Sequence, residues 1–152
     1  MFPRWHILSG LIFTLLFWIV FPQTAWYNIA LIVFASVLID FDHYMCAVWD
    51  TKKWSLFKAF EYHERLMKIE LKEKRKRIFR KGDFHIFHTI EFHALVLAIG
   101  LIFSPFFYVF IGMLFHSLLD LVHLLAKSET YRREFFLANW IRKKIETKVT
   151  KS

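Results

Sequence analysis

Residues 5–43 read WHILSGLIFTLLFWIVFPQTAWYNIALIVFASVLIDFDH, and no Asp, Glu, Lys or Arg occurs from Trp5 to Ile39. A membrane-spanning helix needs about 20 consecutive apolar residues. A run of 35 uncharged positions is too long for one span and suits two. Pro22-Gln23-Thr24 divides it, and the reading is a helical hairpin of two spans, about 5–21 and about 26–43. Each measures about 25 Å at 1.5 Å rise per residue, which implies a thin bilayer. The first helix has the apolar core of a secretory signal. It lacks a convincing small-residue cleavage site and leads into another span, so a retained helix is expected.

Outward from this stretch the pattern repeats. Between Glu91 and Asp120 lie 28 further positions without a formal charge, broken at Ser104-Pro105. Proline is favoured in the first turn of a helix, so spans at about 84–103 and about 105–126 are expected. The segments outside the hairpins are basic. Residues 44–83 hold twelve Lys and Arg against six acids, and residues 127–152 add eight more. The first reads as a helix from about Trp54 to Arg80, with Trp54, Phe57, Phe60 and Met67 near one face. In the second, Phe136, Trp140 and Ile141 recur at helical spacing. Both suit helices lying on a membrane surface.

The fold expected is therefore all-α, an integral-membrane four-helix bundle of two transmembrane hairpins with basic amphipathic interfacial helices. Its 152 residues form a single membrane domain. The positive-inside rule puts both basic segments and the N-terminus with Arg4 in the cytoplasm, and the two uncharged turns outside. That is a multi-pass protein of the cell membrane with both termini cytoplasmic. The charge run from Lys72 to Lys81 is read as attraction to anionic lipid headgroups rather than to nucleic acid. With 57% hydrophobic residues, the chain has more apolar surface than a soluble domain of this size can hide. The single cysteine, Cys46, excludes an intrachain disulfide.

The acids carry the functional reading. Of thirteen, nine lie in the two basic segments; the others are Asp40, Asp42, Glu91 and Asp120. No Lys or Arg lies within the expected spans to pair with them, and a charge at the bilayer centre costs about 2.5–3.5 kcal/mol on insertion scales. Histidines accompany them instead. Asp40-x-Asp42-His43 closes the second span, His85-x-x-His88-x-x-Glu91 opens the third, His116-x-x-x-Asp120-x-x-His123 closes the fourth, and His6 opens the first. In the four-span topology all these residues sit at one depth. Positions 116, 120 and 123 share a helical face, as do 85, 88 and 91. Carboxylate oxygen and imidazole nitrogen are common ligands of Zn²⁺, Mn²⁺ and Fe²⁺.

The expected metal ligands are His6, Asp40, Asp42, His43, His88, Glu91, His116 and Asp120. His85 and His123 are supporting or additional ligands. His93, off the shared face, is structural. His63 lies in the interfacial segment and is expected to be solvated, the alternative being that the surface helix folds it over the site. The set exceeds what one ion uses, so one or two divalent ions are expected, zinc foremost, with manganese or iron as alternatives. A proton relay of histidines and acids is the non-metal alternative.

At these residues the sequence resembles the YdjM-like family of membrane-bound metal-dependent hydrolases, over roughly His6 to His123. The blocks that carry the resemblance are His6, Asp40-Phe41-Asp42-His43, Phe87-His88-Thr89 and His116-Ser117-Leu118-Leu119-Asp120. The resemblance implies a metal-dependent hydrolase with these residues at its centre. Two departures stand out. Ile39 occupies the place where the family commonly has Pro, and His85 is followed by Ile86 where it usually has Arg. Arg80 or Lys81 is the candidate substitute for that arginine.

The function expected is hydrolysis of a phosphoester of a lipid or lipid-linked substrate at the cytoplasmic face. A bound metal lowers the pKa of its water to about 7. Asp42 or Glu91, if left out of the metal's ligand set, would serve as general base, and Arg80, Lys81, Arg132 and Arg133 would hold phosphate or headgroup. A metal-ion transporter and a scaffold with a structural metal are the alternatives.

Overall fold

The structure is a computed structural model that describes residues 3–150, less the side chains of Pro3, Arg4 and Lys148. The side chain of Arg4, expected on the cytoplasmic side, therefore lies outside the described residues. Within them seven α-helices follow one another: α1 (Pro3–Val20), α2 (Trp26–Leu38), α3 (Phe41–Thr51), α4 (Leu56–Arg75), α5 (Ile90–Ile102), α6 (Ser104–Ala126) and α7 (Leu137–Val149). No strand occurs among the described residues.

The apolar helices form the bundle. α6 packs chiefly against α2 and α5, and α1 rests on α2 and α6. Small residues set the spacing. A Cβ on Gly112 would run into the Ile32 carbonyl and come within 2.9 Å of the Ala35 Cβ. One on Gly10 would meet the Ser36 Oγ at 2.5 Å. Small residues at such positions let helix backbones approach closely. It also brings the last turn of α2 against the middle of α6, where the site forms.

Two stretches, Trp26–Thr51 and Ser104–Ala126, are long and apolar enough to cross a membrane, and Trp5–Val20 and Ile90–Ile102 are shorter apolar helices. The chain breaks twice where the sequence suggested continuous spans. The second expected helix, 26–43, stops at Leu38; Ile39 and Asp40 form a turn, and α3 begins at Phe41. The third, 84–103, does not begin at 84. A short 3₁₀ turn, Ile86–His88, leads to Thr89, whose extended backbone and side chain cap α5 by accepting from the Phe92 amide. Threonine at an N-cap favours a helix start at that point. Both breaks fall at chemistry-bearing motifs.

The expected interfacial helix 54–80 is α4, shorter at both ends, followed by an extended link to residue 85. Trp54, Phe57, Phe60 and Met67 are exposed, as a surface-lying face requires. The opposite side of α4 packs on α3 through Ala47, Ala59 and Tyr62. The Tyr62 hydroxyl donates to Asp50 Oδ2 at 2.6 Å and lies 3.1 Å from Asp83 Oδ2. Burial and the Asp50 carboxylate push that hydroxyl's pKa up, so it stays a donor.

Candidate metal centre

Four side chains from three parts of the chain converge. Asp40 stands at the α2–α3 break, His88 ends the 3₁₀ turn before α5, and His116 and Asp120 lie one turn apart on α6. Each offers one ligand atom, and the four atoms lie within 4.8 Å of one another. Asp40 Oδ1 is 3.3 Å from His116 Nε2 and 3.5 Å from His88 Nε2. Asp120 Oδ2 is 3.7 Å from His116 Nε2 and 3.8 Å from His88 Nε2. Ligands about 2.0–2.2 Å from a tetrahedral ion stand about 3.3–3.6 Å apart. The separations are thus close to tetrahedral edges and long for direct charge-assisted hydrogen bonds, which run about 2.7–2.9 Å.

The proton positions point the same way. His116 Nδ1 donates to the Ser36 carbonyl at 2.7 Å. That carbonyl belongs to the last turn of α2, where carbonyls lack helical partners. His88 Nδ1 donates to Asp42 Oδ2 at 3.1 Å, an oxygen that also accepts from the Phe87 amide at 3.1 Å. A neutral ring that donates through Nδ1 has its Nε2 lone pair free for a metal ion. Both Nε2 atoms are buried without a hydrogen-bond partner. Lone pairs turned toward carboxylate oxygens repel unless a cation lies between them. Metal-bound histidines commonly donate their other nitrogen to a carboxylate or carbonyl in this manner.

Asp42 is therefore placed behind His88 and orients it. Its Oδ1 is buried without a hydrogen-bond partner, 3.7 Å from His85 Nδ1. A second group that could hold an ion, Asp42, His43 and His88, shares His88 with the first. His43 Nε2 lies 3.5 Å from Asp40 Oδ1, and its ring packs on His85 with centroids 3.6 Å apart. His85 thus stands beside this second group. His63, expected to be solvated, instead donates Nε2–H from α4 to the His43 carbonyl at 3.1 Å, so the surface helix reaches over this side. His6 reaches the other oxygen of Asp120 at 3.2 Å and stacks on His116. The side chains of Asp40 and His43 remain 30% and 31% exposed, which leaves the centre open on that side.

Other expected residues lie elsewhere. Glu91 is not among the ligands: its two oxygens accept from the Leu137 and Ala138 amides and cap α7. The Thr89 cap is the reason, since His88 precedes the helix and Glu91 lies within it, so the two share no face. Neither group that could hold an ion includes His123. His93 is tied to the Thr89 carbonyl and to Ser117, the structural place expected for it. Arg80 pairs with Glu73, and Arg132 pairs with Glu70 and Glu73. Lys81 donates to the Arg133 carbonyl.

Arg133 corrects the expectation that no basic side chain meets the acids. It donates to Asp120 Oδ2 at 2.7 Å. The chain turns back after α6 through Ser128, whose φ of 55° is left-handed, and this return delivers Arg133 to the centre. Ser36, whose carbonyl fixes His116, carried no signal in sequence because its contribution is a backbone atom. Comparison of the chain with family models, curated proteins and solved structures gives no match. What the geometry gives is a buried Asp/His group able to hold a metal ion.

Proposed function

We propose that this protein is a membrane-embedded metal-dependent hydrolase acting on a phosphoester of a lipid or lipid-linked substrate at the cytoplasmic membrane face. The observation that carries the reading is the pair of buried Nε2 atoms on His88 and His116, set beside Asp40 and Asp120 at near-tetrahedral separations, with Asp40 partly open to solvent. Structural sites close their shell, whereas catalytic sites keep a position open. In this reading the two short apolar helices join the two longer ones as spans, and the positive-inside rule applied to the basic segments supports a centre on the cytoplasmic side. The outward faces support a lipid surrounding: Leu11, Leu15, Ile19, Leu101 and Ile102 are all exposed.

Zinc suits the mixed carboxylate and imidazole set best, with manganese or iron as alternatives. Such an ion would supply Lewis acidity and an activated water. His88, His116, Asp40 and Asp120 would hold it, and His43 with Asp42 offers a place for a second ion. Of the two acids expected as general base, Glu91 caps α7 instead, and Asp42 would have only Oδ1 for that role, in place of holding a second ion. Arg133, at Asp120, is the residue best placed to meet a phosphate entering from the open side. The likeness to the YdjM-like family supports the same chemistry.

The test is purification with bound metal, followed by phosphate release from phosphatidic acid and related phospholipids. Release that depends on metal and vanishes in Asp120→Ala is expected. Absence of metal-dependent release across the panel would remove the hydrolase reading. Transport is the second reading, and it draws on buried Thr14, Asn28 and Ser36 within the bundle. Metal uptake into proteoliposomes would favour it.

A further inference from the structure

Between α2, α5 and α6 lies a groove of about 280 Å³ whose lining is wholly apolar, including Leu31, Phe34, Ile39, Phe87, Val109 and Met113. One end adjoins the metal centre through the chain itself. Ile39 precedes Asp40, Phe87 precedes His88, and Met113 lies nearly one turn before His116. The other end, at Leu31, is eight residues back along α2, about 12 Å by helix rise. Along that length it is an open furrow rather than an enclosed tunnel. It is thus an apolar slot that ends on a polar centre holding Arg133.

We propose that this slot receives one hydrocarbon chain of a membrane phospholipid, drawing its phosphate to Arg133 and the metal centre. The proposal deepens the hydrolase reading and rests on it for the fate of the headgroup; chain binding itself needs no turnover. The shape matches an amphiphile, whose apolar tail and charged head require adjoining environments of opposite polarity.

Phosphatidic acid with a photoreactive diazirine in one acyl chain, diluted into phosphatidylcholine vesicles holding the full-length protein, provides the test. Adducts are mapped by mass spectrometry on metal-loaded and on EDTA-treated protein. The expected pattern concentrates on Leu31, Phe34 and Met113 and falls about tenfold in Val109→Trp, since each methylene excluded from an apolar site weakens binding several-fold. Retained metal content shows that the variant has folded; Leu31→Trp, at the far end, serves if it has not. Adducts spread evenly over the outward faces of α1 and α6 would mean bulk lipid contact alone and overturn the proposal. Crosslinked dimers in place of lipid adducts would overturn it in favour of a second copy. Concentrated adducts without phosphate release would sink the hydrolase reading and leave the slot standing, whereas release without them would do the reverse.

Discussion

Arg132 and Arg133 are neighbours in the chain and serve two different acidic regions. On the α4 side, Arg132 lies 3.4 Å from Glu70 and 3.7 Å from Glu73, and Arg80 lies 3.1 Å from Glu73. Two guanidiniums meet two carboxylates there. On the bundle side, Arg133 meets Asp120, while Asp40 and Asp42 face imidazoles. The first region balances its charge from the protein. The second holds three carboxylates against one guanidinium, the rest of their surroundings being imidazoles. The difference separates a structural ion-pair network from a site arranged for a cation.

Removal of a ligand strikes hardest at that difference. His116→Ala or Asp120→Ala is expected to reduce bound metal, measured by elemental analysis, below about a tenth of the wild-type level, because the remaining ligands hold an ion far more weakly. Chelation of the wild-type protein should lower Tm by about 5–10 °C, as expected when a ligand present at about 100 times Kd is withdrawn. Metal content that survives both substitutions would erase the distinction between the regions.

Asp42→Asn probes the orienting carboxylate. Metal affinity, read by competition with a chelating dye, should weaken by about 10–100-fold rather than disappear. On the α4 side, Glu73→Gln should cost about 1–3 kcal/mol of stability by leaving Arg132 poorly paired, with metal content unchanged. A loss of metal in that variant would show the two regions to be coupled. Glu91→Gln should have the smallest effect, confined to faster hydrogen exchange at the Leu137 and Ala138 amides. Reduced metal binding there would return Glu91 to the centre.

Sequence by itself determined the helical class, the two uncharged runs, the basic segments and the pairing of isolated acids with histidines. Those features are local: periodicity, charge spacing and breaker residues act within a few turns, so they are legible without coordinates. Only the tertiary structure decided which residues meet. The breaks at Ile39–Asp40 and Thr89 set Asp42 behind His88 and turned Glu91 toward α7. The return of the chain after α6 brought Arg133 to Asp120. Spacing on an ideal helix cannot reveal where the helix stops, and a contact between residues 36 and 116 depends on how closely Gly112 lets two backbones approach.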